Sequence, residues 1–293
     1  MSEIGLLIAE PARRDSILLS DGRRLAWCEW GEETARPVFF CTGAAMSGSL
    51  GFGFAALRDS GLRLLSIDRP GLGASDQHPN KTLTSWTADM REVIAARSLR
   101  RPLAVGFSQG APFAFALAAE GLVTALAVVS GQDELAHPAL RDQLEPEVAA
   151  MVAAAARDPD GLVRGFEQIA NAEAFWQMVM AMSAASDRAV YKSRGFAAAY
   201  RRSLEEGFAQ GPAGYLRDLV IALQPWPFAL EAIEQPVDLW YGALDTSPVH
   251  APDGGRGLSE RLPQATLAVD SAQGAALLWT RTRDILACLC SHP

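Results

Sequence analysis

The chain has 293 residues, 49% of them hydrophobic and 20% charged, with a net charge of −8 at neutral pH. That balance fits a soluble globular protein with a sizeable core and excludes a disordered chain. The negative charge argues against a nucleic-acid or anionic-membrane partner, since either would need a basic face.

The opening stretch "MSEIGLLIAEPARRDS" carries Glu3 early and only a short apolar run, so no signal peptide is expected. Cys28, Cys41, Cys288 and Cys290 show no disulfide or zinc spacing beyond one C-x-C. They are expected to be reduced thiols of a cytoplasmic protein. "DSILLSDGRRLAWCEWG" reads as a hairpin turning at Asp21-Gly22. Short apolar runs bounded by Gly, Pro or Asp follow: "RPVFFC" (36–41), "LRLLSID" (62–68), "LAVGF" (103–107), "ALAVVSG" (125–131), "PVDLWYG" (236–242) and "ATLAVD" (265–270). Helix-like stretches separate most of them. Strands buried on both faces and alternating with helices predict a mostly parallel sheet covered on both sides. The run from Leu103 to Gly131 is long enough to span a bilayer and holds one charge, Glu120. Gly106, Gly110, Pro112 and Gly121 punctuate it, so strand, turn, helix and strand are expected instead.

The alternation breaks once. Between "ALAVVSG" and "PVDLWYG" lies a long Ala-rich region of helical pattern with no convincing strand. We expect an α/β core at 1–133 and 230–293, with a helical cap at 134–229 over the C-terminal edge of the sheet. That edge is where open α/β sheets bind ligands.

Within "LAVGFSQGAPFAFALA", Gly106-Phe107-Ser108-Gln109-Gly110 stands between a strand and a helix. A strand that turns straight into a helix strains its central residue, and side chains at the flanking glycines would clash with neighbouring elements. The serine hydroxyl is thereby pushed into a pocket, and the next N–H points at the substrate oxygen. The alternative is a tight turn with an idle serine. A second motif, "DRPGLGASD", covers Asp68 to Asp76.

With these two motifs, the chain resembles the α/β-hydrolase fold superfamily, in the serine-hydrolase branch that carries DRPGxGxSD and GxSxG. The likeness runs from the first hairpin to the last helix, with the cap least distinctive. It implies an eight-stranded, mostly parallel sheet flanked by helices, an inserted helical cap, and a nucleophile, acid and histidine in that chain order. The resemblance makes Ser108 the nucleophile and Asp245 in "LWYGALDTSPV" the acid, with Asp133 in "VVSGQDE" as a rival. Asp245 could equally be a loop residue capping the next helix. The resemblance also places the oxyanion hole at the N–H groups of Gln109 and Ala44. Thr42 stands where the family often has a loop histidine.

The base is missing where the family keeps it. In "DSAQGAALLW" the position just after the last strand is Ala275, or Gly274 if the alignment shifts by one. Neither side chain accepts a proton. His78, His137 and His250 lie on loops and His292 at the C-terminal tip, so each is expected to be exposed; His250 or His137 would need an inward fold to reach Ser108. An unpaired serine should bind substrate and barely turn it over. Deliberate replacement of histidine by Ala275, or natural loss of hydrolysis, would both explain the gap.

The expected function is therefore hydrolysis of a small hydrophobic carboxylic ester or lactone, disabled in this chain. The alternative is a naturally non-hydrolytic member, a ligand receptor or a lyase- or cyclase-like enzyme using the same pocket. In "EAFWQMVMAM", Phe175, Trp176, Met178 and Met180 read either as cap core or as an adaptable apolar pocket wall. No cofactor and no metal are expected, because no cluster has ligand spacing and no complete dinucleotide fingerprint occurs. The only partner called for is a small hydrophobic substrate; a homodimer is compatible with the sequence.

Overall fold

The computed structural model describes residues 8–292. Its sheet has eight strands: β1 (Arg13–Leu18), β2 (Arg24–Trp30), β3 (Arg36–Cys41), β4 (Leu62–Ile67), β5 (Leu103–Phe107), β6 (Leu126–Val129), β7 (Val237–Gly242) and β8 (Ala265–Asp270), in the order β1-β2-β4-β3-β5-β6-β7-β8. The first hairpin pairs antiparallel and β2 meets β4 antiparallel. All other neighbours are parallel. β5 and β6 are buried at every residue, whereas β1 alternates between half-buried and exposed. Central strands covered on both faces need continuous apolar runs; an edge strand facing water does not.

Helices α1 (Phe54–Asp59), α2 (Leu83–Ala96) and α3 (Ala111–Ala119) connect the early strands. Between β6 and β7 stand six helices: α4 (Pro146–Arg157), α5 (Pro159–Phe166), α6 (Ala172–Met182), α7 (Ala185–Tyr191), α8 (Phe196–Gly207) and α9 (Ala213–Leu223). Beyond β7 come α10 (Arg256–Arg261), α11 (Leu277–Thr280) and α12 (Thr282–Ser291). Among the described residues no helix is long and apolar enough to cross a membrane. The run from Leu103 to Gly131 forms β5, α3 and β6.

The second motif joins the helical block to the sheet. Arg69 Nε bonds Asp218 Oδ2 of α9 at 2.8 Å, and Lys81 Nζ sits 2.5 Å from Asp218 Oδ1. All three side chains are essentially inaccessible. Such a cluster persists because each charge has a partner; removing one strands the others. The Arg69 guanidinium also lies over the Phe113 ring of α3, 4.7 Å from its centroid.

Candidate active site

The turn from β5 into α3 has the strained form its sequence predicts. Ser108 has φ +51°, in the left-handed region. A side chain at Gly106 would come within 2.8 Å of the Ala114 β-carbon, and one at Gly110 within 2.0 Å of the Cys41 carbonyl oxygen. Only glycine lets strand, turn and helix close this tightly. The strain at Ser108, of order 1–3 kcal/mol, is held by the packed elements on either side.

Ser108 is not alone. Its Oγ lies 2.8 Å from Nε2 of His250, and Nδ1 of His250 lies 2.6 Å from Oδ2 of Asp245. The expectation that no imidazole faces Ser108 is therefore overturned. The base position is filled from the loop after β7, five residues beyond the carboxylate. His250 was expected to be an exposed loop residue that would need an inward fold to reach Ser108. The loop solves this by folding back on itself. Asp245 Oδ1 accepts the Ser247 N–H at 2.9 Å, and the His250 N–H reaches the Ser247 carbonyl at 3.4 Å. The Ala251 N–H bonds the Gly131 carbonyl beyond β6 at 3.1 Å, and Thr246 Oγ1 donates to the Met182 carbonyl of α6 at 2.6 Å. These ties turn the ring inward, and His250 is only 7% exposed. Local turn residues in "DTSPVHAP" were the available signal, although they do not say which way the histidine points.

Burial pushes the Asp245 carboxyl up, but the facing imidazole and the Ser247 N–H outweigh it, so the carboxyl titrates below its ordinary range. An ionised Asp245 keeps the proton on Nδ1 and leaves Nε2 free to accept one from Ser108. The rival acid Asp133 is placed elsewhere: it is fully buried against Arg261, and it also accepts the Glu134 N–H.

The oxyanion loop is held by the same Arg69 that ties down α9. Its Nη1 donates to the Thr42 carbonyl at 2.6 Å and its Nη2 to the Gly43 carbonyl at 3.0 Å. Among the described residues the peptide bonds are trans. In a trans peptide the N–H points opposite to the C=O, so fixing the Gly43 carbonyl on Arg69 turns the Ala44 N–H away from it. Ala44 and Gln109 line one cavity with Ser108 and His250. Thr42 is fully buried, its hydroxyl donating to the Met46 carbonyl at 2.9 Å; it packs the loop.

Ala275 also lines this cavity. Its loop after β8 carries no titratable group toward Ser108. Instead, Asp187 of α7 reaches down and accepts the N–H of Ala276 at 2.9 Å. A side chain at Gly274 would come within 2.3 Å of Asp187 Oδ2. Burial pushes the Asp187 carboxyl above its ordinary range. His137 caps a short turn through the Ala139 N–H and does not contact Ser108.

The cavity measures about 760 Å³ and is roofed by the helical block. Of the proposed wall, Phe175 and Met178 line it, together with Val179 and Met182. Trp176 and Met180 do not; they are buried in the block, with Trp176 packed edge-on to Tyr200 at 5.7 Å. The correction follows from the 3.6-residue turn of α6: positions 175, 178, 179 and 182 share one face, and 176 and 180 share another. Tyr191, Tyr200 and Tyr215 add aromatic surface, while Gln143, Glu145 and Glu147 bring polar groups.

A family model described as the alpha/beta hydrolase fold matches residues 36–282. The chain belongs to that family. A search of curated proteins gives no match. Among solved structures, the chain is similar to an esterase from Rhodococcus sp. (18% identity, TM-score 0.66, covering 97% of this chain and 98% of that one). It is similar to the enol-lactonase from Burkholderia xenovorans (17%, TM-score 0.66, 93% and 100%). It is also similar to a bromoperoxidase from Bacillus anthracis (18%, TM-score 0.67, 97% and 100%). At such identities the likeness is one of fold, and the reaction has to be argued from the site.

Proposed function

We propose that this chain is a serine hydrolase of small, hydrophobic carboxylic esters or lactones, working through Ser108, His250 and Asp245. The observation that carries the reading is the unbroken hydrogen-bond line from Ser108 Oγ through His250 to Asp245. Nε2 takes the serine proton as Oγ attacks the acyl carbon. The carbonyl oxygen becomes an oxyanion beside the N–H groups of Ala44 and Gln109. The imidazolium, steadied by Asp245, returns the proton to the leaving alkoxide, and the alcohol departs. Water then repeats the sequence on the acyl-serine, releasing the acid and restoring the serine hydroxyl.

The methionines and aromatic rings of the cavity favour an apolar acyl or alcohol group. Glu145 and Glu147 on its wall, in a chain of net charge −8, disfavour an anionic substrate. The non-hydrolytic alternative drew its support from an empty base position, and His250 removes that support. Ala275 needs no history of disablement, because the base comes from another loop.

The test is hydrolysis of an activated short-chain ester together with labelling by a serine-directed phosphonate. Wild-type protein should turn over and be labelled at Ser108, and Ser108→Ala should do neither. Turnover that survives Ser108→Ala, or an intact wild-type protein without turnover on esters and lactones of varied chain length, would refute the proposal.

A further inference from the structure

Asp238 is the second residue of β7, at the opposite end of the strand from Asp245, and is 1% exposed. At about 3.3 Å per residue, roughly 13 Å of strand separates it from the C-terminal edge where Ser108 sits. A buried carboxylate is costly unless its oxygens are satisfied. Thr266 Oγ1 of β8 donates to Asp238 Oδ1 at 2.8 Å. The other partners come from the end of α12 and the residue that caps it. His292 Nε2 lies 3.0 Å from Oδ2 and 3.1 Å from Oδ1, and the Cys288 thiol lies within 4.8 Å of the same carboxylate. The expectation of a solvated tip at His292 is thus corrected: its ring is drawn onto the sheet.

Cys288 lies in the last turn of α12 and His292 is the residue that caps its C-terminal end, four residues on. A carboxylate oxygen, a sulfur and an imidazole nitrogen fall within 4.8 Å of one another. A tetrahedral zinc ion, with bonds of about 2.0–2.3 Å, holds its ligand atoms roughly 3.3–3.8 Å apart. The donors need to close by at most about 1–1.5 Å to share one centre.

We infer that Asp238, Cys288 and His292 form a binding site for Zn²⁺, with water as fourth ligand, that fastens α12 to the sheet. Thiolate and imidazole together select a borderline ion such as Zn²⁺ over Mg²⁺ or Ca²⁺, which prefer oxygen alone. Thr266 occupies Oδ1 and so presents Oδ2 to the ion, an outer contact that orients a ligand. The His292 side chain is 20% exposed, which gives an ion and its water a way in. Binding breaks the Cys288 S–H bond, forms the S–Zn bond and passes the proton to the buffer; nothing is oxidised or reduced. The site is structural and separate from Ser108 chemistry. No local spacing encodes it, because the third ligand comes from a distant strand.

The full chain, stripped with a chelator, would be titrated with Co²⁺ and then Zn²⁺. One equivalent of Co²⁺ should produce a near-ultraviolet thiolate-to-metal band that Zn²⁺ bleaches. Cys288→Ser should abolish the band and Cys290→Ser should leave it. Asp238→Asn and His292→Gln should weaken Zn²⁺ binding by about ten-fold or more. His292→Gln lies at the chain's end and keeps the measurement open if Asp238→Asn folds poorly, which circular dichroism would report. The absence of a thiolate band in the wild type overturns the site. So does a band that survives Cys288→Ser, or undiminished Zn²⁺ affinity in His292→Gln.

Discussion

The loops after β7 and β8 both reach the serine's cavity, and they differ in what they bring. The β7 loop supplies Asp245 and His250, folded so that both ring nitrogens are engaged. The β8 loop supplies Ala275, and the next residue's backbone N–H, that of Ala276, is taken up by Asp187 of α7. One loop carries charge and proton chemistry; the other is a ledge on which the helical block rests. An imidazole needs only to present Nε2 to the serine within hydrogen-bond reach and Nδ1 to a carboxylate. Either loop sits at the right edge of the sheet to meet that condition.

The contrast can be broken most directly at the proposed base. His250→Ala should lower ester turnover by about a million-fold, as in another serine hydrolase, and Ser108→Ala/His250→Ala should be no worse. A loss of only ten-fold would mean that another group takes the proton. Asp245→Asn should cost about ten-thousand-fold in kcat, because the amide favours the wrong tautomer. On the β8 side, Asp187→Ala should leave kcat within about three-fold. It should destabilise the fold by about 1–3 kcal/mol in a denaturant titration, since it strands the buried Ala276 N–H. If kcat collapsed while stability held, the ledge would be part of the chemistry.

A finer comparison comes from pH. The Asp245 carboxyl is held below its ordinary value, so the stability it contributes is present above the unfolded value and lost as pH falls through the folded one. Burial raises Asp187, so its contribution is complete below the unfolded value and lost as pH rises through the folded one. Stability curves of Asp245→Asn and Asp187→Asn, each subtracted from wild type, should therefore slope in opposite directions on the acid side of neutrality. Parallel slopes would dissolve the distinction. The smallest effect is expected from Ala275→His, which should give no gain in turnover; a ten-fold rise, about 1.4 kcal/mol, would return the base to the β8 loop.

Much of the fold was legible before any coordinates. "RPVFFC", "LAVGF" and "ATLAVD" became β3, β5 and β8 without a residue's change, and the Asp21-Gly22 turn joins β1 to β2. These are local signals, because a run of apolar residues ended by Gly, Pro or Asp has few other ways to be buried. The glycines around Ser108 were equally readable: the clash they avoid lies within the turn and its immediate neighbours. The wall of the cavity was half legible. "EAFWQMVMAM" predicted a helix of the block, but which face of α6 looks down depends on how α6 packs on α8, and so Trp176 and Met180 went to the core.

By itself the sequence determined a parallel sheet, a helical block inserted after β6, and a serine forced to the sheet's edge, because each rests on residues close along the chain. Tertiary structure alone decided which imidazole meets that serine. The direction of His250 is set by Gly131 and Met182, brought beside its loop by the strand order and the docking of α6. His292 found Asp238 in the same way. Hydrogen bonds between segments remote in sequence aim these side chains, and no local pattern encodes them.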